Sequence, residues 1–426
     1  MPTTLSRAEM PNQRIVITGA GALSPNGVGR ENYFDALKAG RSGVRTITQF
    51  DASALPARVA GEVDFDPTLW VDAKNMKHVS RVVPMVIAAT DEALKDAKLD
   101  PAAVDLETRR NIGVMLGSGG GAIEFSERMY ELWFADREKQ ASIYSIPSGT
   151  IGTIASEISM AYDFHGFSHL ISTGCTSSTD AIGYAYRNLK LGVCDYIICG
   201  GADATITEAV MTGFCIMRII SNTRNDAPET ASRPFSEDRD GFVLGEGAWM
   251  FVMEREETAR ARGAHIYAEV AGYGSTCDAY HRVRLDESGE EPARAMMLAM
   301  KDAGIDPSAV GYLNYHGTST DLNDRIETRA VKLAFGEHAS TLPGSATKSM
   351  IGHPQGACGA AGVAATLMAF RDGILPPTIN LDRPDPECDL DYIPDLNRRA
   401  NIDAAVCNTI AFGSKNSALL LKRVDE

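Results

Sequence analysis

ALKDAKLDPAAV occupies residues 93–104, and AMKDAGIDPSAV occupies residues 299–310. At a constant offset of 206, eight of the twelve positions are identical. Each copy closes an amphipathic helix and leads into an apolar strand, NIGVMLGSG (111–119) in one case and GYLNYHGT (311–318) in the other. A second pair follows in the same order. STDAIGYAYRNLKLGVCDY (178–196) and GAAGVAATLMAFRDGILPP (359–377) are small-residue-rich helices stopped by Gly192 and Gly373. One match could be a common helix exit; two in the same order point to duplication of one α/β half.

The seam falls near 255–265, between the strands AWMFVME (248–254) and IYAEVAGYG (266–274). The expected division is a loose tail over 1–13, a first half over 14–260 and a second over 261–426. RIVITG (14–19) and IGVMLGSGGG (112–121) read as strands, while ENYFDALKAG (31–40) and SRVVPMVIAATDEALKDA (80–97, with Ser80 as a candidate cap) read as helices. Such alternation predicts a mostly parallel, buried sheet covered by helices. The long polar loop 221–241 belongs to the first half, either as a surface excursion or as a lid.

Composition narrows the class. The chain has 426 residues, 44% hydrophobic and 23% charged, which fits a large folded globule and excludes a disordered or fibrous one. No apolar run reaches the ~18 residues of a membrane span. The N-terminus lacks the basic-then-apolar pattern of a secretory signal, so the expected setting is cytoplasmic. The net charge of −15 argues against nucleic acid as a partner. It leaves room for an acidic partner, since docking depends on a local patch. The eight cysteines form no C-x-x-C pair, so a disulfide scaffold and a zinc ribbon are both poor readings. Most are expected to be reduced, buried, small hydrophobes.

Cys175 differs from the rest. In ISTGCTSSTDAIGYA (171–185) an apolar strand runs into a turn of small residues and then a helix begins. There a sulfur lies near the positive end of a helix dipole and beside free N–H groups, which lower a thiol pKa and favour a nucleophile. His316, in LNYHGTSTDLND, and His353, in GSATKSMIGHPQGACG, each lie in a loop at a strand end, where α/β folds hold ligands. Lys348 precedes His353 by five residues. One cysteine and two histidines without an acidic ligand cluster point to acyl chemistry on a thioester, with no metal and no cofactor. AVCNTIAFGSKNSALLLK (405–422) reads as a hairpin whose turn could bring Phe412 over a site. TGAGALSPNG (18–27) has Ser24 at the third glycine of a dinucleotide loop, which makes a dehydrogenase the least favoured reading. GSGGG (117–121) lacks the Lys-Ser/Thr of a phosphate loop; both segments read as turns.

STGCTSSTDAIG, NTRNDAPETASRPFSEDRDGFVLGEGA, NYHGTSTDLND, ATKSMIGHPQGACGAAG and PPTINLD together resemble β-ketoacyl-[acyl carrier protein] synthases of the elongating, synthase II type, along essentially the whole chain. The resemblance implies the thiolase fold, two duplicated halves in five layers, αβαβα. It implies that Cys175 accepts an acyl chain and that His316 and His353 stabilise the enolate left by malonyl decarboxylation. By the same resemblance, Lys348 maintains the local field, Asp324 supports the loop, and Thr318 and Thr320 bind the pantetheine arm. Phe412 gates malonyl entry and shares an oxyanion hole with the Cys175 N–H. Lys74, Lys77 and His78 match basic positions offered to the acyl carrier protein. The implied assembly is a homodimer, or a heterodimer with a chain-length-factor-like subunit.

The sequence departs from the family at four places. Ala411, Ser414 and Lys415 replace residues of the glycine-rich gate, and Gly362 stands where the family has a glutamate, as in modular polyketide synthases. HGTSTDLND also resembles polyketide and polyene synthases more than housekeeping fatty-acid enzymes, which leans the reading toward a specialised pathway. A non-condensing chain-length-factor-like subunit is the alternative, disfavoured because such subunits typically lack the cysteine. A thiolase or an initiating synthase is disfavoured by His353.

Overall fold

The computed structural model describes residues 13–424, so residues 1–12 of the expected tail lie outside the described residues. The first half contributes β1 (Ile15–Ser24), β2 (Ile112–Gly117), β3 (Ser168–Ile171), β4 (Tyr196–Asp203) and β5 (Gly247–Arg255). The second contributes β6 (Ala268–Cys277), β7 (Tyr312–Asn314), β8 (Gly344–Ser345), β9 (Ala404–Ala411) and β10 (Lys415–Lys422). Their spatial orders, β1-β5-β4-β2-β3 and β6-β10-β9-β7-β8, are the same order repeated. The two sets join where β1 runs antiparallel to β6 through Ile15–Val270, Val16–Glu269 and Ile17–Ala268.

The expectation of a mostly parallel sheet is corrected. In each half the second strand pairs in parallel with the third and fourth, but the fifth runs antiparallel to both its neighbours. Strand–helix alternation predicts parallel pairing only where a helix carries the chain back across the sheet. The last strand of the second half instead returns by a tight turn after Ala411.

Helices complete the layers. They are α1 (Val82–Asp96), α2 (Ser177–Lys190), α3 (Glu290–Ala303), α4 (Asp321–Phe335) and α5 (Cys358–Asp372). α1 covers the outside of β1, and α3 covers the outside of β6. α2 and α5 form the middle layer, and α5 is buried at every residue from Cys358 to Phe370. Those two are the helices of the second sequence repeat; burial on all sides accounts for the small residues of α5, while α2 is buried along its first two turns and exposes Tyr184 and Arg187.

The first repeat has a packing explanation. A Cβ on Gly19 or Gly21 of β1 would lie 2.2 Å from the Ala93 carbonyl oxygen or 2.0 Å from that of Ala89. On β6, Gly272 and Gly274 stand in the same relation to Ala299 and Ala295, each at 2.1 Å. Ala93 with Ala299, and Ala89 with Ala295, are separated by the same 206 residues as the repeat. Each half therefore presses a helix backbone onto paired strand glycines, an approach that any side chain would block.

Two local expectations change. Ser80 does not cap α1: the cap position is Arg81, without a side-chain bond, and the Ser80 hydroxyl has no partner. Segment 221–241 is a surface excursion only over residues 222–230. It dives inward at Ala231–Ser236 and straps the halves together, Arg233 N donating to Ser319 Oγ at 3.0 Å and Phe235 N to Asp324 Oδ2 at 2.9 Å. Among the described residues no helix is long and apolar enough to cross a membrane.

Candidate active site

β3 ends at Ile171, and the turn Gly174–Thr176 presents Cys175 just before α2. In the other half, β7 ends at Asn314 and places His316 on the loop before α4, while His353 lies on the segment before α5. The middle helices touch near their N-termini, where the Ala360 N–H donates to Ser178 Oγ at 2.9 Å. That contact carries the second-half loops over the cysteine. His353 Nε2 lies 3.2 Å from Cys175 Sγ, and the two imidazole rings stand 5.3 Å apart, nearly perpendicular at 85°. The sulfur and one nitrogen of each ring fall within 4.8 Å of one another. All three residues are buried, and they form one wall of a cavity of about 290 Å³.

Lys348 organises the histidine pair. Its ammonium donates to the His316 carbonyl oxygen at 2.6 Å and lies 3.4 Å from His316 Nδ1. A donor at Nδ1 makes that nitrogen an acceptor and leaves the proton on Nε2. Burial, followed by the Lys348 charge, holds His316 well below the usual histidine range, and the same two causes act on His353. Both rings are therefore neutral at pH 7. The His353 ring packs edge-on against Phe242 at 5.6 Å, and its backbone N–H donates to the Val243 carbonyl at 2.6 Å.

The thiol corrects an expectation. Its place at a helix N-terminus matches the sequence reading, yet burial pushes Cys175 above the usual thiol range. The Lys348 charge and the Phe412 backbone N–H, which points at the sulfur, pull the other way without overcoming it. The resting site is thus a neutral thiol against a neutral imidazole.

Thr318 and Thr320 line the cavity, with their hydroxyl oxygens 2.8 Å apart. Asp324 lies beneath them, fully buried, accepting from Thr318 N at 3.1 Å and from Phe235 N. Phe412 is 37% exposed at the rim of the cavity. The turn after it has positive φ at Gly413 (81°) and Ser414 (63°). Ala411 is an ordinary strand residue of β9, so the expected burden on backbone freedom falls on Ser414 alone. Lys74, Lys77 and His78 are not brought into the cavity. Lys74 and Lys77 are exposed, with Lys74 3.4 Å from Asp72, whereas His78 is half-buried and lies 2.7 Å from Ser142 Oγ.

Sequence reading missed three residues here. Cys358 sits at the start of α5, with Sγ donating to the Cys175 carbonyl at 3.1 Å and 3.9 Å from His316 Nδ1. Glu327, on the inner face of α4, accepts from the backbone of His316 (2.7 Å) and Gly317 (2.8 Å) and from Asn408 (2.6 Å). Asp203 ends β4 behind the thiol. Asp203 stands in an otherwise apolar stretch, and that mismatch was the available signal, whereas Glu327 lies among the charged residues of α4 and carries none.

Two family descriptions match the chain, "Beta-ketoacyl synthase, N-terminal domain" over residues 12–259 and "Beta-ketoacyl synthase, C-terminal domain" over 267–382. The chain belongs to the β-ketoacyl synthase family. It is 41% identical to 3-oxoacyl-[acyl-carrier-protein] synthase 2 of Coxiella burnetii, over 97% of this chain and all of the relative. It is 39% identical to the tetracenomycin polyketide synthase ketoacyl synthase alpha subunit of Streptomyces glaucescens, covering 97% of this chain and 98% of that one. Among solved structures, the ishigamide ketosynthase/chain length factor superposes with a TM-score of 0.89 at 31% identity, over 97% of this chain and all of the other. The fold is accordingly the thiolase-like αβαβα arrangement, as the sequence resemblance implied. A β-ketoacyl synthase built this way carries its sulfur on one half and both imidazoles on the other.

Proposed function

We propose that the protein is a condensing enzyme that joins an acyl chain on Cys175 to malonyl-[acyl carrier protein] with loss of carbon dioxide, giving β-ketoacyl-[acyl carrier protein]. The observation that carries this reading is the buried constellation of one thiol and two neutral imidazoles at the closed end of a cavity lined mainly by apolar groups. In the first step the Cys175 sulfur attacks the acyl thioester carbonyl. A carbon–sulfur bond to Cys175 forms, the bond to the carrier thiol breaks, and the Cys175 proton ends on the departing sulfur. The N–H groups of Cys175 and Phe412 receive the transient oxyanion.

Malonyl thioester then enters past Phe412. Its carbon–carbon bond to the carboxylate breaks, carbon dioxide leaves, and the electron pair becomes an enolate whose oxygen accepts hydrogen bonds from His316 and His353. Neutral imidazoles suit this role because they donate N–H bonds without first protonating substrate. The enolate carbon attacks the acyl carbonyl, the bond to Cys175 breaks, and the released thiolate takes one proton from solvent. Lys348 fixes the His316 tautomer, and Asp324 supports the loop on which Thr318 and Thr320 meet the pantetheine arm.

The reading extends to partners. Lys74, Lys77 and, less freely, His78 offer cationic groups to an acidic carrier protein. The chain acts as a homodimer or with a chain-length-factor-like subunit, in a cytoplasmic polyketide, polyene or fatty-acid pathway. The division of the chain near residue 260 into a thiol half and an imidazole half is part of the same proposal. The intact Cys175–His316–His353 set weighs against a non-condensing partner subunit. The test is intact-mass analysis after mixing the protein with acyl- and malonyl-carrier protein. A β-ketoacyl product with matching carbon dioxide release is expected; an unextended carrier, with each candidate partner subunit added, would overturn the reading.

A further inference from the structure

Four donors converge on the carboxylate of Asp203. Ser118 Oγ donates to Oδ1 at 2.6 Å and Gly120 N to the same oxygen at 2.9 Å. Gly119 N donates to Oδ2 at 2.8 Å and Gly356 N at 2.6 Å. Gly119 and Gly120 belong to the glycine run 117–121, for which the sequence supplied no role beyond a turn. Gly356 lies three residues after His353, in the other half. Asp203 itself is fully buried, and among the described residues no cation pairs with it. A buried carboxylate without a cation costs stability unless its hydrogen bonds compensate, and here four donors supply them.

The geometry gives it a further consequence. His353 Nδ1 is buried and has no hydrogen-bond partner, so no side chain steers the ring from behind. Its aim at Cys175 depends on the backbone on either side. Upstream, that backbone is held by His353 N on the Val243 carbonyl and by Gly245 N on the His353 carbonyl at 3.0 Å. Downstream, the tie is Gly356 N on Asp203. The approach leaves no room for adjustment, because a Cβ on Gly356 would lie 2.2 Å from Gly119 N.

We propose that Asp203 is a positioning residue that sets the His353–Cys175 distance, by clamping the backbone just past the imidazole to the glycine loop of the other half. It rests on the condensing reading above and acts through His353 without touching substrate.

Asp203→Ala removes the clamp, and Gly356→Ala drives the same segments apart while leaving the carboxylate in place. Either should lower kcat for condensation by about ten- to a hundred-fold, the cost of misplacing a catalytic group by a fraction of an ångström to 1 Å, with KM for the acyl carrier nearly unchanged. Asp203→Asn keeps one oxygen able to hold both Gly119 and Gly356, and should recover most of the loss. In a His353→Ala background, Asp203→Ala should cost no more than about twofold further, since both changes remove one function. If Asp203→Ala does not fold, Gly356→Ala carries the test. Wild-type kcat in either folded variant, or a full additional loss in the His353→Ala background, overturns the proposal. Failure of the wild type to condense would instead count against the functional reading. The rate of Cys175 alkylation by iodoacetamide then decides the clamp: Asp203→Ala should follow His353→Ala, and a wild-type rate would overturn it.

Discussion

Cys175 Sγ and His353 Nε2 lie 3.2 Å apart, although 178 residues separate them in the chain. The thiol ends a turn before one middle-layer helix, and the imidazole precedes the other. Duplication therefore places two helix N-termini face to face, and the chemistry occupies the gap. Neither group is charged at rest, because burial raises the thiol and depresses the histidine.

Cys175→Ala should abolish the acyl adduct seen by intact mass and with it all condensation. His316 and His353 remain, so decarboxylation of malonyl carrier protein should continue at a measurable rate. His316→Ala and His353→Ala should each suppress carbon dioxide release by about 10²-fold or more, the usual cost of one donor to a developing oxyanion. Normal release in either variant would remove that histidine from the enolate site.

The raised thiol has a direct pH signature. Alkylation of Cys175 by iodoacetamide in the resting protein should climb steadily from pH 6 to above pH 9, with no plateau near neutrality. Condensation should show no acid-side loss near pH 6.5, because both imidazoles already stand neutral well below that pH. An alkylation plateau at pH 7 would mean a thiolate at rest and would contradict the buried neutral pair.

Lys348 is the cation nearest these groups, and its removal should act in two directions at once. Lys348→Ala takes away the donor to the His316 carbonyl and the bond that fixes the ring tautomer. Decarboxylation should fall by roughly 10²-fold. The same change removes a charge that favours the thiolate, so Cys175 alkylation at pH 8 should slow. Faster alkylation in this variant would sink the electrostatic assignment.

The repeat at offset 206 and the strand-end positions of Cys175, His316 and His353 were legible because each follows from local pattern: helix exit, glycine turn, apolar strand. The antiparallel fifth strands were not: in the second half only a tight turn precedes the strand, and in the first the helix Glu208–Met217 does intervene without making the pairing parallel. The inward dive of 231–236 was hidden by its polar composition. Three of its hydroxyl and backbone groups find their partners in the other half, at Ser319, Asp324 and the Lys348 carbonyl. The thiol pKa was misjudged because helix dipole and N–H groups can be read from sequence, whereas the burial that outweighs them depends on loops from both halves. Asp203 and Glu327 went unnoticed as partners because most of their donors are backbone N–H groups, which carry no residue signature, and their side-chain donors, Ser118 and Asn408, lie more than 80 residues away.

Glu327 links the site to stability. Burial raises its carboxyl from the usual 4.5 to about 7, despite three donors that favour the ionised form. Its contribution to stability is therefore fully present below pH 4.5 and lost as pH rises through about 7. A shift of that size corresponds to about 3 kcal/mol. Relative to Glu327→Gln, the wild type should lose melting temperature more steeply between pH 5 and pH 8. Parallel profiles for the two proteins would show that the carboxylate is ionised throughout.

Ser414 occupies a left-handed backbone position that glycine would hold without strain, at φ 63°. Its buried hydroxyl accepts from His281 N at 3.2 Å and Tyr280 N at 3.3 Å and donates to the His281 carbonyl at 2.9 Å. Gly413 N adds a bond to the Arg282 carbonyl at 3.0 Å. These bonds join the Phe412 turn to segment 280–285, whose Val283, Arg284 and Leu285 line the same cavity. The two rims should therefore open together. Ser414→Gly relieves about 1–2 kcal/mol of backbone strain while losing three hydroxyl hydrogen bonds worth about 1 kcal/mol each, so net stability should fall by about 1–2 kcal/mol. The coupling loses its hydroxyl bonds and keeps only backbone ones, such as Gly413 N on the Arg282 carbonyl. Amide exchange should quicken at 412–416 and 280–285, and the acyl-enzyme should hydrolyse several-fold faster as water enters past a more loosely held Phe412. Unchanged exchange at 280–285 would show that the rims move independently and that the serine serves only its own turn.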